Sequence, residues 1–166
     1  MAVDTAARRT GRVGAGLIVL AGGLLGSPAA AEQPDWTGTT YTARTNYVLR
    51  CSGCHGLEGR GGERGGVPDL RDHVGAFAGE DDGRTYVVKV PGVRNSNLSP
   101  EATAAVLNYV MTTFAGASFA EGTAPFTAEE VVRRRQIAVG DIVAYRRTIA
   151  ARLAAEGVPL AGYPWP

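Results

Sequence analysis

The pentapeptide Cys51-Ser52-Gly53-Cys54-His55 constrains what this chain can fold into more than any other feature. Two cysteines three positions apart, followed at once by a histidine, form the pattern through which a haem c is attached. Each thiol adds to one vinyl group of the same porphyrin, so the two sulfurs must lie one helical turn apart. The histidine is then placed to ligate the iron. The sequence therefore predicts one covalent haem c at Cys51 and Cys54, with His55 as the proximal iron ligand.

Two other kinds of site use part of this pentapeptide. A Cys-x-x-Cys pair serves as a redox dithiol in thioredoxin-like proteins, but that fold needs a βαβ context that this sequence lacks, and it leaves His55 without a role. A structural zinc site needs four ligands, and the chain could supply them only if His73 folded back beside the motif. Haem attachment uses both cysteines and the histidine, so it is the interpretation that the sequence favours.

The first 31 residues have the composition of an export signal. Arg8, Arg9 and Arg12 give a positive start, residues 13–25 form an apolar stretch, and residues 29–31 are three alanines suited to cleavage. The apolar stretch is short for a membrane-spanning helix, although an uncleaved anchor is the alternative. Because bacteria attach haem c outside the inner membrane, signal and motif together predict a periplasmic protein with no membrane span after cleavage.

The charge balance excludes two classes of partner. The chain has 17 Lys and Arg against 16 Asp and Glu, a net charge of +1. Neither nucleic acid nor an anionic membrane surface is therefore predicted to bind it. Lys89 is the only lysine, so the chain cannot present a ring of lysines, and docking must use arginine, acidic or apolar surface.

A glycine-rich loop follows the motif. Residues 56–66 contain six glycines in eleven positions, which predicts an irregular loop running close to another group, with a haem edge as the natural candidate. Pro68 and Leu70 come next. The motif, the loop and this Pro–Leu pair together resemble a class I cytochrome c. The resemblance implies that the Pro68 carbonyl accepts a hydrogen bond from the His55 imidazole and that Leu70 packs on the haem.

The same resemblance implies an all-α fold, with a small cytochrome c-like helical domain around the covalent haem. Propensity alone favours a strand at residues 85–90, whereas the resemblance implies a helix there, and we follow the resemblance. Ser99 and Pro100 suit the cap and first position of a helix over residues 100–114. The side chains expected to be buried on that helix are Val106, Leu107, Tyr109, Val110 and Phe114.

The predicted domains are the signal at 1–31, the haem domain at 32–116 and a C-terminal helical extension at 117–166. In the extension, Thr127 is predicted as the cap of a short helix, Glu130 as the partner that completes a capping box, and Phe126 with Val131 as a hydrophobic staple.

A second helix of the extension is predicted to start after Asp141. Its apolar residues Ile142, Tyr145, Ile149 and Leu153 form one stripe, which predicts packing against the cytochrome body. A docking element for a redox partner is the alternative, with residues 133–135 and 146–147 as its basic faces, whereas such runs are usually solvated surface.

The sequence leaves the sixth iron ligand open. Class I cytochromes place a methionine after a Pro-Gly pair, but the corresponding residues 91–98 contain none. Met111 is the only methionine beyond Met1, in a helix where a core role is common. His73 would have to cross to the distal face. Asn95, a water or an empty position is the third alternative, and Met111 ranks ahead of His73.

The residue pattern predicts an electron carrier rather than an enzyme, since the sequence shows no Ser/His/Asp set and no phosphate-binding loop. The implied function is electron transfer through one haem c between periplasmic redox proteins. A quinoprotein dehydrogenase as donor and a terminal oxidase as acceptor are typical of similar proteins. The alternatives are a haem-bearing subunit of a periplasmic dehydrogenase complex and a sensor of small ligands with an open iron site.

Overall fold

Residues 36–63 and 65–162 are described by a computed structural model of the chain. Among them the only strand-like pairing is a single bridge between Gly62 and Val67, so the predicted all-α fold is confirmed. The predicted signal lies outside the described residues. The α-helices are α1 (Ala43–Arg50), α2 (Ser52–His55), α3 (Asp81–Lys89), α4 (Pro91–Arg94), α5 (Pro100–Phe114), α6 (Ala128–Gln136) and α7 (Ile142–Ala155), with 3₁₀ segments at Val74–Gly79 and Gly116–Ser118. No helix in the described ranges is long and apolar enough to cross a membrane.

Helix α1 carries the chain into the pentapeptide. It begins where Thr42 Oγ1 accepts a hydrogen bond from the Thr45 N–H at 3.1 Å. It packs against α5, and the Tyr47 and Phe114 ring centroids lie 5.1 Å apart. Aromatic side chains bury large apolar areas, so this contact holds the motif-bearing segment on α5.

Residues 81–89 form helix α3, as the resemblance implied and against their β-propensity. Asp81 and Asp82 lie in its first turn, where negative charge complements the helix dipole. Burial on several sides of this helix outweighs local propensity, since its buried residues are Gly83, Thr85, Tyr86, Val87 and Val88.

Helix α5 spans the predicted residues and joins two apolar clusters. It begins where Ser99 Oγ accepts a hydrogen bond from the Ala102 N–H at 3.1 Å. Val106, Leu107, Val110 and Phe114 are buried as expected, whereas Tyr109 is half-buried. One cluster contains Tyr47 and Phe114, and the other contains Met111. The two clusters therefore meet along α5.

Helix α6 has the predicted cap but not the predicted capping box. Thr127 Oγ1 accepts a hydrogen bond from the Glu130 N–H at 3.2 Å. The Glu130 carboxylate instead accepts hydrogen bonds at 2.6 Å from Arg84 Nε and at 2.7 Å from Arg134 Nε. The prediction for the Glu130 side chain is wrong because two nearby guanidinium groups bind the carboxylate. Phe126 and Val131 are buried in one cluster, consistent with a staple.

The expectation of two solvated basic faces is wrong in part, because Arg133 and Arg147 are exposed whereas Arg134 and Arg146 are buried. Arg134 and Arg146 are 8% and 5% exposed. Arg134 Nη1 donates to Thr85 Oγ1 and Arg134 Nη2 donates to Asp81 Oδ1, both at 2.7 Å. These bonds tie α6 to α3 and bury charge that the sequence pattern assigned to solvent.

Helix α7 packs its predicted stripe on the body. Asp141 Oδ1 caps it by accepting from the Val143 N–H at 2.8 Å. Ile149 and Leu153 are buried in the cluster that contains Met111. The described residues belong to one compact unit, and the boundary after residue 116 stays a prediction.

Candidate functional site

Both cysteines and the histidine of the pentapeptide lie on one helical turn. The Cys51 N–H closes α1 by donating to the Tyr47 carbonyl at 2.8 Å, and the His55 N–H donates to the Cys51 carbonyl at 2.9 Å. Both thiols are free, with Cys51 half-buried and Cys54 exposed. The backbone thus gives the thiols and the imidazole the spacing that attachment of one planar macrocycle needs.

The electrostatics of Cys51 disfavour a redox dithiol. Burial raises the pKa of the Cys51 thiol to about 11, the Cys54 thiol adds to this effect, and Arg50 opposes it only in part. The thiol is therefore protonated at neutral pH, whereas a thioredoxin-like thiol needs a lowered pKa. Addition to a vinyl group consumes the S–H itself, because the sulfur bonds to one carbon and the hydrogen to the other.

The His55 imidazole is in the state that metal ligation requires. Burial lowers its pKa, and the Pro68 carbonyl partly offsets that effect. The ring is therefore neutral at neutral pH and can bind a metal through nitrogen. Its Nδ1 is buried and makes no hydrogen bond of ordinary geometry to any described residue. The hydrogen bond that the resemblance implies between the imidazole and the Pro68 carbonyl therefore stays a prediction.

The glycine-rich loop brings Pro68 and Leu70 to the motif. Gly61 has a φ of +69°, and a Cβ there would lie 2.3 Å from the Val67 carbonyl oxygen. The Leu70 N–H donates to the Gly59 carbonyl at 2.8 Å. These glycines therefore allow the loop to fold back on the chain's own backbone, a reason for their presence that the sequence did not reveal.

A cavity of about 360 Å³ brings the predicted site residues together. Five of them line it and are called here the motif wall: Cys51, Cys54, His55, Pro68 and Leu70. Leu70 is buried, and its packing on a haem stays a prediction. The five residues predicted to hold the haem therefore share one cavity.

The rest of the lining comes from several helices and the C-terminal extension. The residues called here the helical wall are Val87, Val90, Val93, Ile142 and Arg146. Sequence reasoning missed the contribution of the extension. The only signal was Ile142 at the start of the apolar stripe, whereas nothing in the pattern marked Arg146 as a cavity residue.

The cavity fits a large planar cofactor with an apolar body and carboxylate groups. Aliphatic side chains suit the faces of a porphyrin, and two thiols with a neutral imidazole are the attachment groups of haem c. Arg50 and Arg146 also line the cavity, and guanidinium groups pair well with carboxylates. The residues present therefore fit haem c.

The candidates for the sixth ligand are placed differently. His73 and Met111 line the cavity, whereas Asn95 is exposed and lies outside the lining. Met111 is 1% exposed. His73 Nδ1 is buried and makes no hydrogen bond to the described part of the chain. The structure thus brings two of the three side chains to the cavity.

Comparison with known proteins finds two similar cytochromes. The chain is 31% identical over 123 residues to "Cytochrome c-552" of Thermus thermophilus, a match that covers 62% of this chain and 93% of the relative. It is also 31% identical over 123 residues to the "Cytochrome c-552" of one defined strain of the same species, covering 62% of this chain and 82% of the relative. No family profile matches the chain, and no solved structure matches it. The similarity spans most of each relative, so it concerns a whole domain and not the pentapeptide alone.

Proposed function

Because this chain belongs to the monohaem c-type cytochromes that include cytochrome c-552, we propose that it is a periplasmic electron carrier with one haem c held by Cys51, Cys54 and His55. Members of this family carry covalently bound haem c and transfer electrons. The observation that carries the residue assignment is that these three side chains line one cavity with Pro68 and Leu70. We expect its partners to be periplasmic redox proteins.

Each residue of the motif wall has a distinct role in this proposal. The haem iron, when bound, gains and loses one electron. Cys51 and Cys54 anchor the group through thioethers, and His55 offers a neutral imidazole to the iron. Pro68 holds the imidazole in one tautomer by accepting from Nδ1–H, a common arrangement for metal-bound histidines. Leu70 excludes water from the same side.

The proposed route for electrons passes the exposed edge of the motif. Cys54 is exposed, and Leu49 and Leu57, which flank the pentapeptide, are 59% and 67% exposed. Lys89, the only lysine of the sequence, is held within the protein, because its Nζ donates to the Arg135 carbonyl at 3.0 Å. We therefore expect docking through mainly apolar contacts, with an electron-exchange rate that depends weakly on ionic strength. Stopped-flow electron exchange with a redox protein at low and high salt measures this dependence.

The first test is expression of the full chain with a bacterial cytochrome c maturation system. We expect one covalent haem per chain in the periplasmic fraction, measured by haem stain on a denaturing gel and by the pyridine haemochrome assay. A reversible one-electron wave in voltammetry is expected from the same sample.

The Cys51→Ala/Cys54→Ala variant should lose the covalent haem completely. The matched control is Ser52→Ala, which lies between the cysteines and removes only a hydrogen bond of 2.8 Å from Oγ to the Val48 carbonyl. This control should keep its haem. Covalent haem in the double variant, or none in the wild type, would refute the assignment.

A further inference from the structure

The connection between α3 and α5 presents aliphatic side chains to the cavity. It spans residues 90–99, and its cavity-lining members are Val90, Pro91, Gly92 and Val93. Two hydrogen bonds hold the connection in place: Ser96 Oγ donates to the Val93 carbonyl at 2.8 Å, and the Ser99 N–H donates to the Thr37 carbonyl, before α1, at 2.8 Å. The segment in which a class I cytochrome carries its methionine therefore offers hydrocarbon to the cavity.

His73 is held on the side of the motif wall. The Val74 N–H donates to the Leu70 carbonyl at 3.1 Å, and the Asp72 N–H donates to the Phe114 carbonyl at 2.9 Å. These bonds on both sides of His73 fix its backbone beside Leu70 and the end of α5. Because Pro68 and Leu70 in the same segment line the cavity with His55, a move of His73 to the distal face would break these backbone hydrogen bonds.

Met111 is held in the apolar core. It is 1% exposed and belongs to the cluster that contains Phe77, Val88, Val131 and Ile149. Its carbonyl accepts a hydrogen bond from the Ala115 N–H at 3.3 Å, so its backbone is fixed within α5. Drawing the thioether toward an iron would leave a void among these side chains, which close-packed cores resist.

We propose that the sixth position of the iron is left to a ligand from solution, and that this ligand is a small neutral diatomic molecule such as carbon monoxide or nitric oxide. The inference rests on the proposed function, because it concerns the same haem, and adds a ligand-binding activity to it. Binding donates a lone pair of the ligand to ferrous iron and releases neither proton nor electron.

The helical wall determines this ligand class. Val87, Val90, Val93 and Ile142 carry hydrocarbon side chains and line the cavity, so an anion would lose its hydration there without a compensating hydrogen bond from them. Arg146, the charged member of this wall, is the residue placed to pair with a haem carboxylate, and it also has contacts within the protein: its Nη2 donates to the Ala161 carbonyl at 3.0 Å, and its guanidinium lies 5.6 Å from the centre of the Phe77 ring. A neutral diatomic molecule loses little hydration in such a cavity.

The test is a carbon monoxide titration of the reduced holoprotein, followed by optical absorbance, with electron paramagnetic resonance of the oxidised protein as a second readout. We expect a high-spin iron that binds carbon monoxide on mixing. Met111→Leu, which keeps a similar volume, and His73→Asn, which keeps a polar side chain without an imidazole, should leave spin state and carbon monoxide affinity unchanged.

A low-spin spectrum that carbon monoxide does not change would overturn the proposal. If Met111→Leu or His73→Asn then became high-spin and bound carbon monoxide, that residue would be the ligand. The titration is read only on protein with one covalent haem per chain. A preparation without covalent haem therefore refutes the proposed function, and a low-spin holoprotein refutes this inference alone.

Discussion

The motif wall and the helical wall line the same cavity but are built in different ways. The motif wall comes from residues 51–70, placed by short-range backbone hydrogen bonds and by glycines in turns. The helical wall draws on α3, α4 and α7, which come from separate parts of the sequence and are held by burial. The ion group of Glu130 with Arg84 and Arg134 ties α3 to α6. The proposed attachment of the haem therefore depends on local geometry, whereas the proposed access of small ligands to the iron depends on long-range packing.

The largest decrease in stability is expected from Glu130→Gln, which breaks the ion group between α6 and α3. Breaking one member of a buried ion group costs about 3 to 5 kcal/mol, so the free energy of unfolding should fall by that amount at neutral pH. Denaturant unfolding of the holoprotein, followed by circular dichroism, measures it. Glu156→Gln, at an exposed carboxyl, is the control and should unfold like the wild type.

The same variant makes a prediction about pH. Burial alone would raise the pKa of the Glu130 carboxyl, but hydrogen bonds from Arg84 and Arg134 outweigh burial and lower it from its usual 4.5 to about 2. Because the folded pKa lies below the unfolded one, the stabilisation is complete above pH 4.5 and is lost as the pH falls toward 2. The stability difference between wild type and Glu130→Gln should shrink across that window, and a constant difference would contradict the assignment.

Ile149→Ala should weaken the packing behind the helical wall and leave the motif wall unchanged. Ile149 is 0% exposed, and truncation of a buried isoleucine costs about 3 kcal/mol. Covalent haem content should stay at one per chain while carbon monoxide binding, measured by stopped flow, becomes faster. Ile137→Ala, at a side chain that is 41% exposed, is the control. A loss of covalent haem in Ile149→Ala would show that the two walls are not independent.

Gly61→Ala should disturb the motif wall and leave the packing of the helical wall unchanged. The positive φ and the close Val67 carbonyl make an alanine there strained, at a cost of about 2 kcal/mol. The yield of covalently attached haem should fall, because the loop can no longer bring Pro68 and Leu70 to the motif. At Gly62 a Cβ would meet nothing within 4 Å, so Gly62→Ala is the matched control. Equal haem yields in the two variants would argue against the role of the loop.

The smallest effect is expected from Thr127→Ala, which removes the cap of α6. Loss of an N-cap costs about 1 kcal/mol, measured as a lower midpoint in denaturant. Thr113→Ala, at an exposed residue inside α5, removes no cap and is the control. A Thr127→Ala variant as stable as this control would mean that the ion group alone holds α6.

The parts of the fold that could be predicted are those in which a few neighbouring residues carry the cause. Ser99, Thr127 and Asp141 cap the helices that they were predicted to cap, because a cap satisfies backbone N–H groups two or three positions away. The turn that carries Cys51, Cys54 and His55 is also local, and the role of these residues in haem attachment stays a prediction. Residues 85–90 show the limit, because burial within the folded protein outweighed a local preference for strand.

The sequence by itself determined the haem-attachment motif, the helix starts and the resemblance to class I cytochromes, since each depends on spacing along the chain. Only the tertiary structure decided that Arg146 and Ile142 line the cavity, that Glu130 binds two arginines, and that Met111 lies in the core. The physical reason is that burial and charge pairing depend on which distant elements meet. Those contacts are set by how the helices pack against one another.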